Sequence, residues 1–79
     1  MRKLELGMPV VLVSDVVDGG NVLLATGTKG AVNSMVNLEG IDYIFFMPRG
    51  IPKSYVIKAS RVEPDEEEIE KLLNSKENV

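Results

Sequence analysis

The sequence predicts an all-β fold, a small five-stranded barrel with a short acidic helix at its C-terminal end. Three observations lead there. Short apolar runs rich in Val, Ile and aromatics recur through the first 63 residues, punctuated by Gly, Pro and Asp turns. Gly27-Thr28-Lys29-Gly30 leads directly into a strand-like run, and so supplies a pivot where the first half of the chain folds back onto the second. After Pro64 the pattern turns acidic and takes on a helical spacing. Residues 1–63 are therefore assigned to the barrel and 64–79 to the helix and a frayed tail.

Met8-Pro9-Val10-Val11-Leu12-Val13 is too short and too β-branched for a helix, and Pro9 stands at the start of the strand where a missing N–H does least harm. Asp18-Gly19-Gly20-Asn21 is a strong turn signal, around which Val16-Val17 and Val22-Leu23-Leu24 can pair as an irregular hairpin. Gly30 is expected at positive φ, where Gly30→Val would be strained. Ala31–Asn37 reads as a strand with Val32, Ser34 and Val36 on one face, and Leu38–Asp42 as a connecting loop. Tyr43-Ile44-Phe45-Phe46-Met47 holds three of the four aromatics and is expected at the centre of the sheet. Pro48–Lys53, with two prolines, is a turn. Ser54–Lys58 and Arg61–Glu63 complete the strands.

Beyond Pro64, Asp65 is placed to cap a helix, with Glu68 three residues on. Glu66, Glu67 and Glu68 suit the positive end of the helix dipole. Ile69, Leu72 and Leu73 form a narrow apolar stripe, and Glu67 and Lys71 stand four apart in the favourable order. Residues 74–79 are expected to fray.

Seventy-nine residues make one small domain, which buries only roughly 60–65% of its unfolded surface, so the core is thin. The absence of Cys and His removes disulfides, the usual zinc sets, the imidazole base and the thiol nucleophile. The Ser and Thr residues have no apparent activating partner, so an enzyme is not expected, and neither is a cofactor or a metal. The carboxylates at 65–68 lack the spacing of an EF-hand loop. Gly27–Gly30 is not a phosphate loop, since it leads into a strand and not into a helix. No apolar run reaches the roughly 20 residues of a membrane helix, and no apolar signal core follows Met1–Glu5. A cytoplasmic location with no membrane contact is expected. The net charge of −3 is divided, with seven basic and five acidic residues in 1–62 against two basic and seven acidic in 63–79.

The short strands, the long polar first loop and the glycine turn resemble the Src-homology-3-like (SH3-like) barrels. The matching residues are Leu6-Gly7-Met8-Pro9-Val10-Val11-Leu12 as first strand, Gly27-Thr28-Lys29-Gly30-Ala31-Val32 as the turn into the second, and Tyr55-Val56 through Arg61-Val62-Glu63-Pro64 as the close. This likeness covers roughly residues 5–63. Similar members include ribosome- and polymerase-associated KOW domains, small accessory subunits of redox complexes and domains of phage proteins. Signalling modules that bind Pro-rich peptides line their grooves with several aromatics, commonly including Trp, and this chain has no Trp.

The function expected is that of a non-catalytic accessory protein that engages a protein partner. Small barrels leave strand edges that a partner can extend, and the helix stripe has to dock on the barrel or on another chain. The first loop, Ser14–Asn21, and the Pro48–Lys53 turn are the most irregular polar parts of the body. Recognition is therefore assigned to Asp15, Asp18, Asn21, Arg49, Lys53 and Tyr55. A monomer or a weak homodimer through a strand edge is expected. The alternative is a KOW-like nucleic-acid or ribosome-associated domain. Its signal is Lys29, Arg49, Lys53, Lys58 and Arg61, with Tyr43 or Tyr55 to stack on a base. Against it stands a sequence pI of about 4.8, where nucleic-acid domains are more often basic.

Overall fold

Seven strands precede one helix in the computed structural model of the chain, which describes residues 2–77. The strands are β1 (Pro9–Leu12), β2 (Val16–Asp18), β3 (Asn21–Leu24), β4 (Lys29–Leu38), β5 (Ile41–Pro48), β6 (Tyr55–Lys58) and β7 (Val62–Pro64). A 3₁₀ turn, Ala59–Arg61, lies between β6 and β7, and α1 spans Glu66–Glu77. Five strands form one antiparallel sheet in the order β6-β5-β4-β1-β7, and β2-β3 is a separate ribbon. The sheet does not close into a barrel. β7 returns beside β1, while β6 pairs only with β5, so the two short strands remain as opposite edges.

Alternation along β5 explains the core. Ile44, Phe46 and Pro48 are buried, whereas Tyr43, Phe45 and Met47 between them are half-buried. Val10, Leu12, Leu24, Val32, Ile57 and Val62 join Ile44 and Phe46 in one apolar cluster, with Leu4, Met8, Val16, Tyr55 and Ala59 packed at its margin. β5 is interior but second from the edge. The middle strand is β4, which is the longest and pairs with both β1 and β5.

The glycine turn sits two residues earlier than expected. Thr28 N–H donates to the Ala25 carbonyl at 3.1 Å, and Gly27 has φ 92, the conformation that the third residue of a type II turn requires. The Gly27 N–H donates to the Leu12 carbonyl at 2.8 Å, which fastens the turn to the end of β1. Gly30 is not at positive φ. It lies inside β4 opposite both Val10 and Pro48. A Cβ there would run into the Met47 carbonyl oxygen and stand 2.8 Å from the Phe46 ring. Close approach, not backbone freedom, demands glycine at this position.

Two features of the β4-β5 hairpin depart from the alternation predicted for it. The expected Leu38–Asp42 loop is only Glu39-Gly40, at φ 53 and φ 83, the two positive values of a type I′ hairpin turn. Asn37 buttresses it by donating to Asp42 Oδ1 at 2.8 Å and accepting from the Gly40 N–H at 3.2 Å. The register also shifts between Val32 and Ser34, leaving Asn33 without a partner in a β-bulge. Val32 therefore faces inward opposite Phe46, and Met35 lies opposite buried Ile44. Ser34 and Val36 pass to the other face, opposite Phe45 and Tyr43. The single face predicted for Val32, Ser34 and Val36 is broken at the bulge.

The helix begins as its acidic start predicts. The Glu68 N–H donates to Asp65 Oδ1 at 3.2 Å, and the Ile69 N–H donates to the Asp65 carbonyl at 2.9 Å. Helical structure continues to Glu77; residues 78 and 79 lie outside the described residues. Of the stripe, only Ile69 is buried, and residues 70–75 are all exposed.

Candidate protein-binding surface

Among the described residues thirteen large hydrophobics are exposed against nine that are buried. An excess of this kind is informative where the residues adjoin one another. Directly opposed residues of an antiparallel pair share a face, and on the outer face of the sheet they do adjoin. Leu38 lies opposite Ile41, Val36 opposite Tyr43, and Phe45 opposite Val56. Leu38 and Val56 are more than half exposed, at 56% and 57%. The bulge at Asn33 creates this stripe by turning Val36 outward. An unbroken period-two reading places Val36 in the core and misses the stripe.

Met47 continues the same face toward the helix and lines a groove of about 650 Å³, within the range typical of ligand sites. Pro9 and Ala31 form its floor with Met47, Ile51 and Pro52 come from the loop after β5, and Leu72 comes from α1. Nothing in the sequence pattern signals this groove, because it needs the helix to be placed against the sheet.

Ion pairs hold the helix there. Lys29 Nζ is 3.6 Å from Asp65 Oδ2, Arg49 Nη2 is 3.5 Å from Glu68 Oε2, and Arg2 Nε donates to Glu66 Oε2 at 2.7 Å. That hydrogen bond and the charge behind it raise the Arg2 pKa. Asp65 Oδ2 is buried and accepts no hydrogen bond among the described residues, so its link to Lys29 is purely electrostatic. Lys71 and Glu67 make the expected pair along the helix, 3.9 Å apart.

The residues assigned to recognition come from the β2-β3 ribbon and the residue just before it, and from β6 and the connection that precedes it. Asp15 is committed to the fold, since its Oδ1 accepts from the Thr26 N–H at 2.7 Å and from the Thr26 hydroxyl at 2.8 Å. The backbone bond, then the hydroxyl, holds the Asp15 carboxyl below the usual range. Asp18 and Asn21 flank the exposed Gly19-Gly20 tip of the β2-β3 ribbon. Tyr55 lies opposite Phe46 and packs on the core margin, with Lys53 Nζ 5.1 Å above its ring centroid. Arg49 lines the groove.

The five basic residues differ in what they contact. Lys29 and Arg49 are paired to the helix. Arg61 Nη1 donates to Ser14 Oγ at 3.3 Å and to the Asp15 carbonyl at 3.1 Å, bracing the start of the first loop. Lys58 is exposed opposite Tyr43 on the outer face. Among the described residues no group of three or more His, Cys, Asp or Glu side chains is arranged to hold a metal, and no helix is long and apolar enough to cross a membrane.

Comparison with protein families, with curated proteins and with solved structures finds no match.

Proposed function

We propose that this chain is a non-catalytic accessory protein on an SH3-like scaffold, and that it engages a protein partner through the outer face of β4-β5 and the adjoining groove. The scaffold reading is supported by the closing strand returning beside the first, by the long ribbon-forming first loop, and by the glycine turn into the longest strand. One observation carries the partner reading, the apolar stripe of Val36, Leu38, Ile41, Tyr43, Phe45 and Val56 that runs on through Met47 into the groove. An exposed face of this composition suits a protein better than a polyanion. Three of the five basic residues on which nucleic-acid binding would rely are engaged within the chain.

The test uses the tagged full chain as bait beside Val56→Lys on the outer face and Ile51→Lys in the groove. A partner retained by the wild type is expected to fall about tenfold or more with either substitution. Equal retention by all three would move the site elsewhere. In parallel, amide shifts are followed during titration with a mixed-sequence oligonucleotide at low and physiological salt. Salt-sensitive shifts confined to Lys29, Arg49–Lys58 and Arg61 would install the nucleic-acid reading instead.

A further inference from the structure

The edges of the sheet differ sharply in how they are protected. β7 has three residues, of which Glu63 is charged and Pro64 lacks an N–H; β6 has four, ends in Lys58 and follows Pro52-Lys53. Short length, charge and proline are the devices that keep strand edges from pairing with other chains. β4 is different. Its partner β1 reaches only Ala31 in the ladder, and two further bonds, Gly7 N–H to the Val32 carbonyl and Val32 N–H to the Met8 carbonyl, end that side of the strand. From Ser34 to Leu38, β4 pairs with β5 alone among the described residues, and Asn33 is the unpaired bulge residue. The segment Asn33-Ser34-Met35-Val36-Asn37-Leu38 carries no charge and no proline, and Met35 to Leu38 are all exposed.

We infer that the Asn33–Leu38 edge of β4 pairs antiparallel with the same edge of a second copy of this chain, joining two five-stranded sheets into one. The choice of a second copy rests on charge and on face. An uncharged edge meets its own image without placing like charges opposite each other. The acidic helix is fixed at the far end of the strand, where Asp65 meets Lys29. Seven residues of strand place that anchor about 20 Å from Val36, beyond the Debye length of about 10 Å at 0.1 M salt. The acidic anchor of each helix is thereby kept from the seam. A two-fold axis perpendicular to the sheet and centred on Val36 opposes Val36 to its copy, Ser34 to Leu38, and Met35 to Asn37. Outer residues then meet only outer ones, and the exposed stripes of both copies run on as one surface. The interface is isologous and closed.

Sedimentation equilibrium of the full chain alone tests this, and no other protein enters the measurement. Failure here therefore leaves the partner reading of the previous section standing. The wild type is expected to pass from one chain mass to two as concentration rises. Val36→Lys and Val36→Glu are each expected to remain at one chain mass, because the axis sets like charges together, and their equimolar mixture is expected to regain the two-chain mass. Far-UV circular dichroism checks that each variant is folded. Should a variant fail that check, amide hydrogen exchange of the wild type replaces it, with protection at residues 34–38 expected to rise with concentration. A wild type that keeps one chain mass at about 1 mM overturns the proposal. So does dimerisation unaffected by Val36→Lys, an open series of larger species, or concentration-dependent protection at β6 or β7 instead of β4.

Discussion

A glycine can be required for two different reasons, and Gly27 and Gly30 separate them within four residues. Gly27 has φ 92 and open space where a Cβ would go, so its demand is conformational. Gly30 has an ordinary strand backbone, and a Cβ there meets a backbone oxygen that cannot rotate away. Gly27→Ala should therefore cost about 1 kcal/mol, the local strain of a left-handed residue, and Gly30→Ala about 2–3 kcal/mol through overpacking. Urea denaturation of both variants checks the order; equal costs would contradict it. Asp15 gives a prediction in pH. Its carboxyl titrates lower in the folded chain than the unperturbed value of about 3.9. Its contribution is therefore complete above that value and is lost as pH falls through the lower, folded pKa. The gap in denaturation midpoint between wild type and Asp15→Ala should be constant near neutrality and shrink as pH falls below the unperturbed carboxylate range.

At the scale of elements, legibility followed how local the cause was. The Asp65 cap and the strands β1, β5 and β6 are set by neighbours within a few residues, and their positions follow from the sequence. The two-residue turn at Glu39-Gly40 was concealed, because a Glu at φ 53 is not the Asn, Asp or Gly that such turns favour. Its support comes from Asn37, which reaches across to Asp42 and Gly40. The bulge at Asn33 was equally hidden, since nothing in Val32-Asn33-Ser34 marks an extra residue. The helix shows the same division. Its start is legible, but how much of its stripe docks is decided by the sheet beneath it. With Ile69 buried and Leu73 46% exposed, Ile69→Ala should cost about 2 kcal/mol and Leu73→Ala under about 0.5 kcal/mol. Thermal unfolding followed by circular dichroism distinguishes the two.

For the molecule as a whole, the core is one cluster with Phe46 fully buried within it. A chain of this length has roughly 4–12 kcal/mol of stability to lose. Phe46→Ala, at about 3–5 kcal/mol, should bring it close to the unfolding threshold, which a large drop in urea midpoint will reveal; a change below about 1 kcal/mol would displace Phe46 from the centre of the core. Charge and apolar surface are segregated over the same molecule. The acidic helix is fastened at one end of β4 by Lys29 and Arg49, while the other end of the β4-β5 hairpin carries exposed hydrophobics, Val36, Leu38 and Ile41 among them. The sequence reveals the charge split directly, as a change of composition at residue 63. It does not reveal the apolar stripe, which exists only once the register of β4 on β5 is known.

The unpaired residue at Asn33 acts on the strand as a single inserted base acts on a reading frame. Every side chain after it is read on the opposite face from the one that counting by twos from Val32 assigns. One surplus residue thus lets a strand that begins in the core end by displaying Val36 and Leu38 to the outside, with no change in the order of its amino acids.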